Sequence, residues 1–174
     1  MAQQPVDRFE TVILPYLDDA YTLARYLLKN EHDAQDVVQE AALRAFRHFH
    51  QLRDGDPRAW FLAIVRNCCF TWRRRNWKDR LVVPFEDHLH TNVDESTSAD
   101  AQAIEHSDRA AVERAVAALP LEFREVIVLR EIQDLSYAEI AAVVGVPVGT
   151  VMSRLSRARR RVAAALGAGA QEAS

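Results

Sequence analysis

Five arginines crowd a short stretch near the carboxyl end, and no acidic residue separates them. They are Arg154, Arg157, Arg159, Arg160 and Arg161. Guanidinium groups bind phosphate oxygens and guanine edges, and the hydroxyls of Thr150, Ser153 and Ser156 add donors on the same stretch. The chemistry that these residue types and spacings indicate is binding to DNA.

The elements that must position these arginines are two short helices around a turn. Ser136 and Glu139 have the S-x-x-E spacing of a capping box, and Gly145 suits the left-handed end of a helix. Pro147 suits the start of the next helix. Four apolar residues at helical spacing are expected to face inward: Val148, Val151, Leu155 and Val162. The layout predicts a helix-turn-helix whose second helix enters the major groove. A surface helix with a solvated basic face is the alternative.

A second cluster, Trp72–Arg80, combines five cations, one acid and two tryptophans. It follows a helix that is predicted to begin with Asp56 as N-cap and Pro57 in the first turn. Tryptophan rings stack on exposed bases and arginines neutralise phosphates, so the cluster suits single-stranded or melting DNA. The alternative is core tryptophans beside cations that favour a helix carboxyl end.

The whole chain is not basic, because its 174 residues carry a formal net charge of -3. Affinity for DNA must therefore come from the local clusters, and we expect a larger partner to hold the chain on DNA. The length allows one large domain or two small ones. No long apolar run and no apolar signal core at the amino end are visible, so we expect a cytoplasmic protein without membrane insertion.

Catalytic and metal chemistry find no support in the sequence. Cys68 and Cys69 are adjacent and lack metal-ligand spacing, so we expect reduced, packed thiols. The six histidines are scattered, and none forms an acid/base or metal constellation with neighbouring acids. We therefore expect no enzyme activity, no catalytic residue, no metal, no cofactor and no small-molecule substrate.

The fold class is predicted to be all-α, with two small helical domains joined by a flexible acidic linker. The domains are residues 8–80 and 109–166, and the linker is 81–108. The linker holds seven acids and no Lys or Arg. Such a composition is expected to stay extended and mobile until a partner orders it.

The first domain is predicted to contain three helices. One runs from Phe9 to Lys29, with Pro15 either as a kink or as a new start. The second runs from Glu31 to Phe49, and the third begins at Pro57.

Two blocks of sequence resemble a known family. Residues 33–40 with Ala45-Phe46, followed by 59–67, resemble region 2 of bacterial RNA polymerase sigma factors. Residues 118–130, followed by 136–161, resemble region 4 of the same proteins. Both blocks in so short a chain are similar to the extracytoplasmic-function (ECF) class.

The resemblance implies three sets of site residues. Binding to the clamp helices of core RNA polymerase falls on Asp33, Asp36, Gln39 and Glu40. Contact with the −10 promoter element falls on Arg53, Asp54, Gly55, Asp56, Trp60, Asn67, Arg73, Arg74 and Arg75, with Asn67 holding a flipped base. Contact with the −35 element falls on Thr150, Ser153, Arg154, Ser156, Arg157 and Arg160. Some relatives carry arginine at the position of Met152, which leaves the −35 sequence open.

The function that the resemblance implies is that of an alternative sigma factor. It binds core polymerase, directs it to −35/−10 promoters and helps to open the DNA, and an anti-sigma factor holds it inactive until a signal arrives. Two other functions are compatible with parts of the sequence. A stand-alone helix-turn-helix regulator binds its promoter without polymerase. A decoy that occupies an anti-sigma protein has no need of Asn67 or the basic cluster.

Overall fold

The computed structural model describes residues 5–76 and 99–172, and the regular structure within these ranges is entirely helical. The helices are α1 (Pro5–Ile13), α2 (Leu17–Leu28), α3 (Glu31–His48), α4 (Pro57–Arg75), α5 (Ala99–Ala117), α6 (Leu121–Ile127), α7 (Tyr137–Val144) and α8 (Val148–Glu172). The all-α prediction is confirmed. Residues 77–98, which include the end of the Trp72–Arg80 cluster and most of the predicted linker, lie outside the described residues.

The first half, residues 5–76, contains four helices, because the first of the three predicted segments is divided at Pro15. Pro15 lies in a 3-10 turn, Leu14–Tyr16, that separates α1 from α2. Its ring has no N–H to give and blocks a continuous α-helix, so the chain makes a fresh start. Of the two alternatives predicted at Pro15, the new start is the one found. The carboxyl end of this segment is close to the prediction, because α2 ends at Leu28 with Lys29 in the left-handed conformation.

The starts of α3 and α4 agree with the sequence pattern because each has a side-chain cap. Asn30 accepts a hydrogen bond from the Asp33 N–H at 2.9 Å. Asp56 accepts from the N–H groups of Arg58 and Ala59 at 3.0 and 3.3 Å. Such caps satisfy amides that have no partner inside the helix.

The second half, residues 99–172, begins earlier than the sequence indicated. Residues 99–108 are the first half of α5, whereas they were expected to be extended linker. The physical reason is composition: Ala99, Ala101 and Ala103 are strong helix formers, and they offset the acids around them. That part of the linker prediction is wrong.

A π-helical turn, Val128–Ile132, extends α6 and brings Gln133 inward. Asp134 follows with φ 53°, a left-handed conformation that redirects the chain. Such wide turns are rare in helical proteins and change which side chains face a neighbour. Here the turn places Gln133 against the first half of the molecule.

The helix-turn-helix is confirmed in its local detail. Ser136 and Glu139 form the reciprocal capping box, and Gly145 ends α7 with φ 75°. In α8, Val151 and Leu155 are buried as expected, and Val162 is partly buried. Val148 was expected to face inward as well, but 41% of it is exposed. As the first residue of α8 it lies before the stretch of the helix that reaches the core.

The two halves share one hydrophobic core. Helix α7 packs on α4, and α6 packs on α2. Phe61 and Leu62 of the first half and Leu129 and Leu135 of the second half are fully buried. Burial of each such side chain contributes about 1.5–3 kcal/mol relative to exposure.

None of the described helices is by itself long and apolar enough to cross a membrane. The bent pair Tyr137–Val144 and Val148–Ala168 meets that length and composition only when both helices are taken together, across an angle of 99°.

Candidate nucleic-acid interface

The outward side of α8 brings together most of the residues predicted to touch the −35 element. Ser153, Ser156, Arg157 and Arg160 are exposed, on the side opposite the buried Val151 and Leu155. These four residues form what we call the α8 outer face. Thr150 is partly buried beside it, and its carbonyl accepts from the Ser153 hydroxyl at 3.0 Å. Helix α8 packs on α5, α6 and α7, so this face points away from the core of its own half.

Arg154 does not lie on the α8 outer face. Its guanidinium is 3.4 Å from Glu125 and 3.7 Å from Glu122, and only 21% of its side chain is exposed. To reach a phosphate it must leave both carboxylates. The structure therefore separates Arg154 from the other predicted −35 contacts.

Two further arginines of α8, Arg159 and Arg161, have partners of their own. Arg159 donates two hydrogen bonds to Glu131, at 2.9 and 2.6 Å, and these bonds raise the pKa of its guanidinium. Arg161 lies 5.0 Å from the ring centre of Phe123. Within the described ranges no acidic partner is found for Arg157 or Arg160. These two cations are the ones on α8 that are ready to meet an anion.

The predicted −10 residues lie along α4 and the loop before it. Arg53, Asp54, Gly55 and Asp56 are exposed in that loop, although Asp56 also caps α4. Asn67 is exposed in the middle of α4, whereas Trp60 is partly buried against the core. The loop and Asn67 thus belong to one continuous element, with Asn67 about three turns along it.

The arginine cluster at the end of α4 is divided by the fold. Arg73 donates to the backbone oxygen of Leu27 at 3.0 Å, which satisfies a carbonyl at the end of α2. Arg74 and Arg75 are exposed. Arg73 therefore has a structural contact in this state, whereas the two following arginines are accessible to a partner.

The predicted polymerase face lies on α3. Asp36, Gln39 and Glu40 are exposed on one side of this helix, and Glu40 pairs with Arg44 at 3.0 Å. Asp33 is partly buried in the first turn.

Sequence reasoning missed Leu43 on this helix, which is 59% exposed. Its spacing of three from Glu40 puts it on the same side as the acids, and that spacing was the available signal. The face is thus acidic with an apolar side chain at one end.

A buried carboxylate joins the two halves. Glu125 is 1% exposed and accepts from Arg66 of α4 at 2.7 and 3.2 Å, as well as from Arg154. Burial raises the pKa of Glu125, and the hydrogen bonds and charge of Arg66 oppose that rise. One acid of α6 therefore holds an arginine from each of the two helices that carry predicted DNA contacts.

Further polar contacts join the halves. Arg58 bridges Asp19 at 2.8 Å and the carbonyl of Gln133 at 2.7 Å. The Gln133 amide donates to the Asp19 carbonyl at 2.6 Å, and Arg124 donates to the Tyr26 carbonyl at 3.2 Å. The available signal was the pair Arg124-Glu125 inside the apolar run 123–129, because buried charges require partners.

Arg58 of the first half also influences the capping box of α7 in the second half. Hydrogen bonds from Ser136 lower the pKa of Glu139, and the charge of Arg58 from the first half adds to that effect.

No group of His, Cys, Asp and Glu suited to hold a metal ion is found among the residues that the structure describes. Cys68 and Cys69 are buried and free. Burial raises the pKa of Cys69 to about 12, which keeps this thiol protonated and unreactive at neutral pH.

Comparison with protein families gives two matches, one in each half of the chain. The model for sigma-70 region 2 matches residues 12–79, and the model for sigma-70 region 4 matches residues 109–162.

Characterised relatives match along most of the chain. It is 35% identical to the ECF RNA polymerase sigma factor SigM of Mycobacterium tuberculosis over 148 residues, covering 84% of this chain and 71% of that protein. It is 33% identical to the ECF RNA polymerase sigma factor SigE of Mycolicibacterium smegmatis, covering 92% of this chain but only 62% of that relative's length. It is 32% identical to the RNA polymerase sigma-H factor of Pseudomonas aeruginosa, covering 91% and 86%.

Two solved structures share the fold. The sigma factor RpoE in complex with the anti-sigma factor NepR, from Bartonella quintana, superposes with a TM-score of 0.74 at 26% identity, over 92% of this chain and 97% of that one. CnrH in complex with the cytosolic domain of CnrY superposes with a TM-score of 0.62 at 28% identity, over 92% and 88%.

Proposed function

The chain belongs to the ECF class of RNA polymerase sigma factors, and from that membership we propose that it directs core polymerase to −35/−10 promoters and stabilises their opening. The observation that carries the proposal is the placement of three exposed surfaces on separate helices. They are the acidic side of α3, the loop and central part of α4, and the α8 outer face. Each surface suits a different partner during initiation of transcription: core polymerase, the −10 element or the −35 element.

The chemistry of each surface matches its proposed partner. The side of α3 with Asp36, Gln39 and Glu40 presents carboxylates and an amide to basic groups on the polymerase clamp. Asn67 offers an amide that can hydrogen-bond the edge of an unstacked base, while Arg74 and Arg75 meet the adjacent backbone. Arg157 and Arg160 approach the major groove. We infer no catalytic chemistry in this chain, because synthesis of RNA belongs to the core enzyme.

The division into domains follows the same assignment. We propose residues 8–80 as the unit that binds polymerase and the −10 element, and 109–166 as the unit that binds the −35 element. Residues 81–108 connect them, and their last ten residues belong to α5. Because transcription takes place in the cytoplasm, we place the protein there.

The packed arrangement of the two halves fits a resting form better than a promoter-bound form. The −35 and −10 elements are separated by about 25 base pairs, which is about 85 Å of duplex. A compact chain of about 150 residues has a radius of gyration of about 15 Å. The packed halves cannot reach both elements at once, so we propose that they separate when the chain binds polymerase.

An anti-sigma factor is the partner that we propose for the resting form. Of the solved structures compared above, RpoE was determined in complex with the anti-sigma factor NepR, and CnrH in complex with the cytosolic domain of CnrY. By analogy, an anti-sigma factor would stabilise the packed halves and cover the acidic side of α3 until a signal removes it.

Run-off transcription tests the proposal directly. Core polymerase with the full-length chain is incubated with a genomic promoter library, and the transcripts are sequenced. We expect a set of transcripts that start downstream of a shared pair of elements and that are absent without the chain. A double charge reversal, Asp36→Arg with Glu40→Arg, serves as the control, since it should abolish these transcripts while leaving α3 exposed and folded.

A stand-alone regulator predicts the opposite pattern. In that case the purified chain shifts promoter DNA in a gel without core polymerase, and the double reversal on α3 leaves that shift unchanged. Specific binding of this kind, together with the absence of factor-dependent transcripts, contradicts the proposal.

A further inference from the structure

Two apolar side chains stand exposed on the helix that carries the predicted −35 contacts. Val148 is 41% exposed and Met152 is 52% exposed. They are four residues apart, so they lie on the same side of α8, one turn from each other. Single exposed apolar residues are common on protein surfaces, but this pair begins a helix whose neighbouring face is polar and basic.

Met152 borders the α8 outer face. At 100° per residue it lies about 40° around the helix axis from Ser156, one turn further along. Arg157 and Arg160 follow within the next two turns and are exposed, so this part of the helix attracts the negative charge of DNA. The positive charge beside the apolar pair favours DNA as the surface that covers it.

The position along the helix also matters. Val148 and Met152 are the first and fifth residues of α8. In a helix-turn-helix the amino-terminal residues of the second helix reach the base edges, while later residues meet the backbone. Met152 is therefore placed at the depth of the bases.

We propose that Met152 reads a thymine methyl group in the −35 element. The C5-methyl of thymine is an apolar group that the major groove presents, and a long unbranched thioether side chain can pack against it without a rigid approach. The inference deepens the proposed function, on which it rests, by assigning part of the sequence preference to an apolar contact. It makes thymine the preferred base opposite Met152.

A selection experiment tests the first consequence. Holoenzyme made from core polymerase and the full-length chain is bound to a promoter library that is randomised through the −35 element, and the bound DNA is sequenced. Wild-type protein enriches thymine at a position that Met152→Ala no longer enriches. Ile132→Ala is the matched control, because Ile132 is a large apolar side chain with similar exposure, 45%, outside α8. It keeps the wild-type preference.

Removal of the methyl group tests the contact itself. Uracil has the same hydrogen-bonding edge as thymine and lacks only that methyl, so the two bases are exchanged at the enriched position. Wild-type holoenzyme loses about fourfold in affinity with uracil, which corresponds to about 0.8 kcal/mol for one buried carbon. Met152→Ala binds the two duplexes equally, and Ile132→Ala keeps the fourfold ratio.

The outcomes distinguish a failure of the methyl contact from a failure of the proposed function. A holoenzyme that selects a −35 sequence but tolerates uracil, or a Met152→Ala variant that keeps the thymine preference, overturns the methyl contact and leaves the proposed function intact. A holoenzyme that selects no −35 sequence overturns both.

Discussion

Arginines of the same helix have different environments, and this difference decides what each can do. Arg157 and Arg160 are exposed on the α8 outer face, whereas Arg154 and Arg159 are paired with carboxylates. Exposed ion pairs contribute little to stability, but they keep a guanidinium occupied near an acid. Among the described residues, Arg157 and Arg160 have no acidic partner, so we expect contact with DNA to fall first on these two.

Arg157→Ala is expected to weaken binding of the holoenzyme to a −35 duplex by about 1–3 kcal/mol if its guanidinium reads a base. Fluorescence anisotropy with a labelled promoter measures the change. Arg159→Ala is the matched control, since Arg159 is already held by Glu131. Equal losses for the two variants, or no loss for Arg157→Ala, remove Arg157 from base recognition.

Asn67→Ala is expected to reduce promoter opening more than closed-complex formation. Asn67 is exposed and central on α4, and in the proposed role its amide binds a base that has left the stack, which is present only in the opened promoter. Permanganate reactivity of unpaired thymines reports opening, and a gel shift reports binding. Glu10→Gln, an exposed change on α1, should affect neither measurement. A loss of the same size in both measurements contradicts the assignment.

The helix caps show which elements the sequence could specify by itself. The caps of α4 and α7 are local: Asp56 and Ser136 each bind backbone amides no more than three residues further along the chain. Donor and acceptor therefore both lie within a short stretch of sequence, which makes these helix starts predictable. At Pro15 the sequence does not decide, because a proline permits either a kink or a new helix. At the start of α5 two local signals conflict, since the acids favour an extended linker and the alanines favour a helix.

Helix α3 combines acids with an exposed leucine, and this combination suits a protein partner better than solvent. Leu43→Ala is expected to weaken the affinity for core polymerase by about 1–3 kcal/mol, the loss typical of an apolar anchor at an interface. Competition against a labelled wild-type chain measures it. Val112→Ala, which truncates another exposed apolar residue on α5, is the control. Identical behaviour of the two variants places the polymerase contact elsewhere.

At the scale of the whole molecule, the packing of the two halves could not be predicted from the sequence. Arg66 and Glu125 are separated by 59 positions, and no periodic pattern joins them. The apolar runs of each half identify a core but do not say that α7 lies on α4. Only the charged pair Arg124-Glu125 within an apolar run indicated that α6 packs against polar groups of another part of the chain.

Glu125 gives the packed form a dependence on pH that can be measured. Its folded pKa is raised by burial, so the folded chain holds this proton more tightly than the unfolded chain. The stabilisation is fully present below about pH 4.3, the ordinary value for a glutamate, and is lost as the pH rises through the raised folded pKa. Glu125→Gln removes the titration.

Urea unfolding of the wild type and Glu125→Gln from pH 4 to pH 8 measures this effect. The free energy of unfolding of the wild type should fall relative to the variant as the pH rises. Glu131→Gln, at an exposed pair, is the control and should show no such trend. If the free energy of unfolding of the wild type rises relative to the variant with increasing pH, Arg66 and Arg154 instead hold the pKa of Glu125 below its usual range.

Glu125 holds two arginines that separation of the halves would affect differently. Arg154 lies in the same half as its acids, since Glu122 and Glu125 belong to α6 and Arg154 to α8, so these two pairs can persist in both arrangements. Arg66 belongs to α4, so its bonds to Glu125 must break when the halves part. Truncation of Arg66 would therefore loosen the packed form and leave the second half intact, whereas truncation of Arg154 would act within the second half alone.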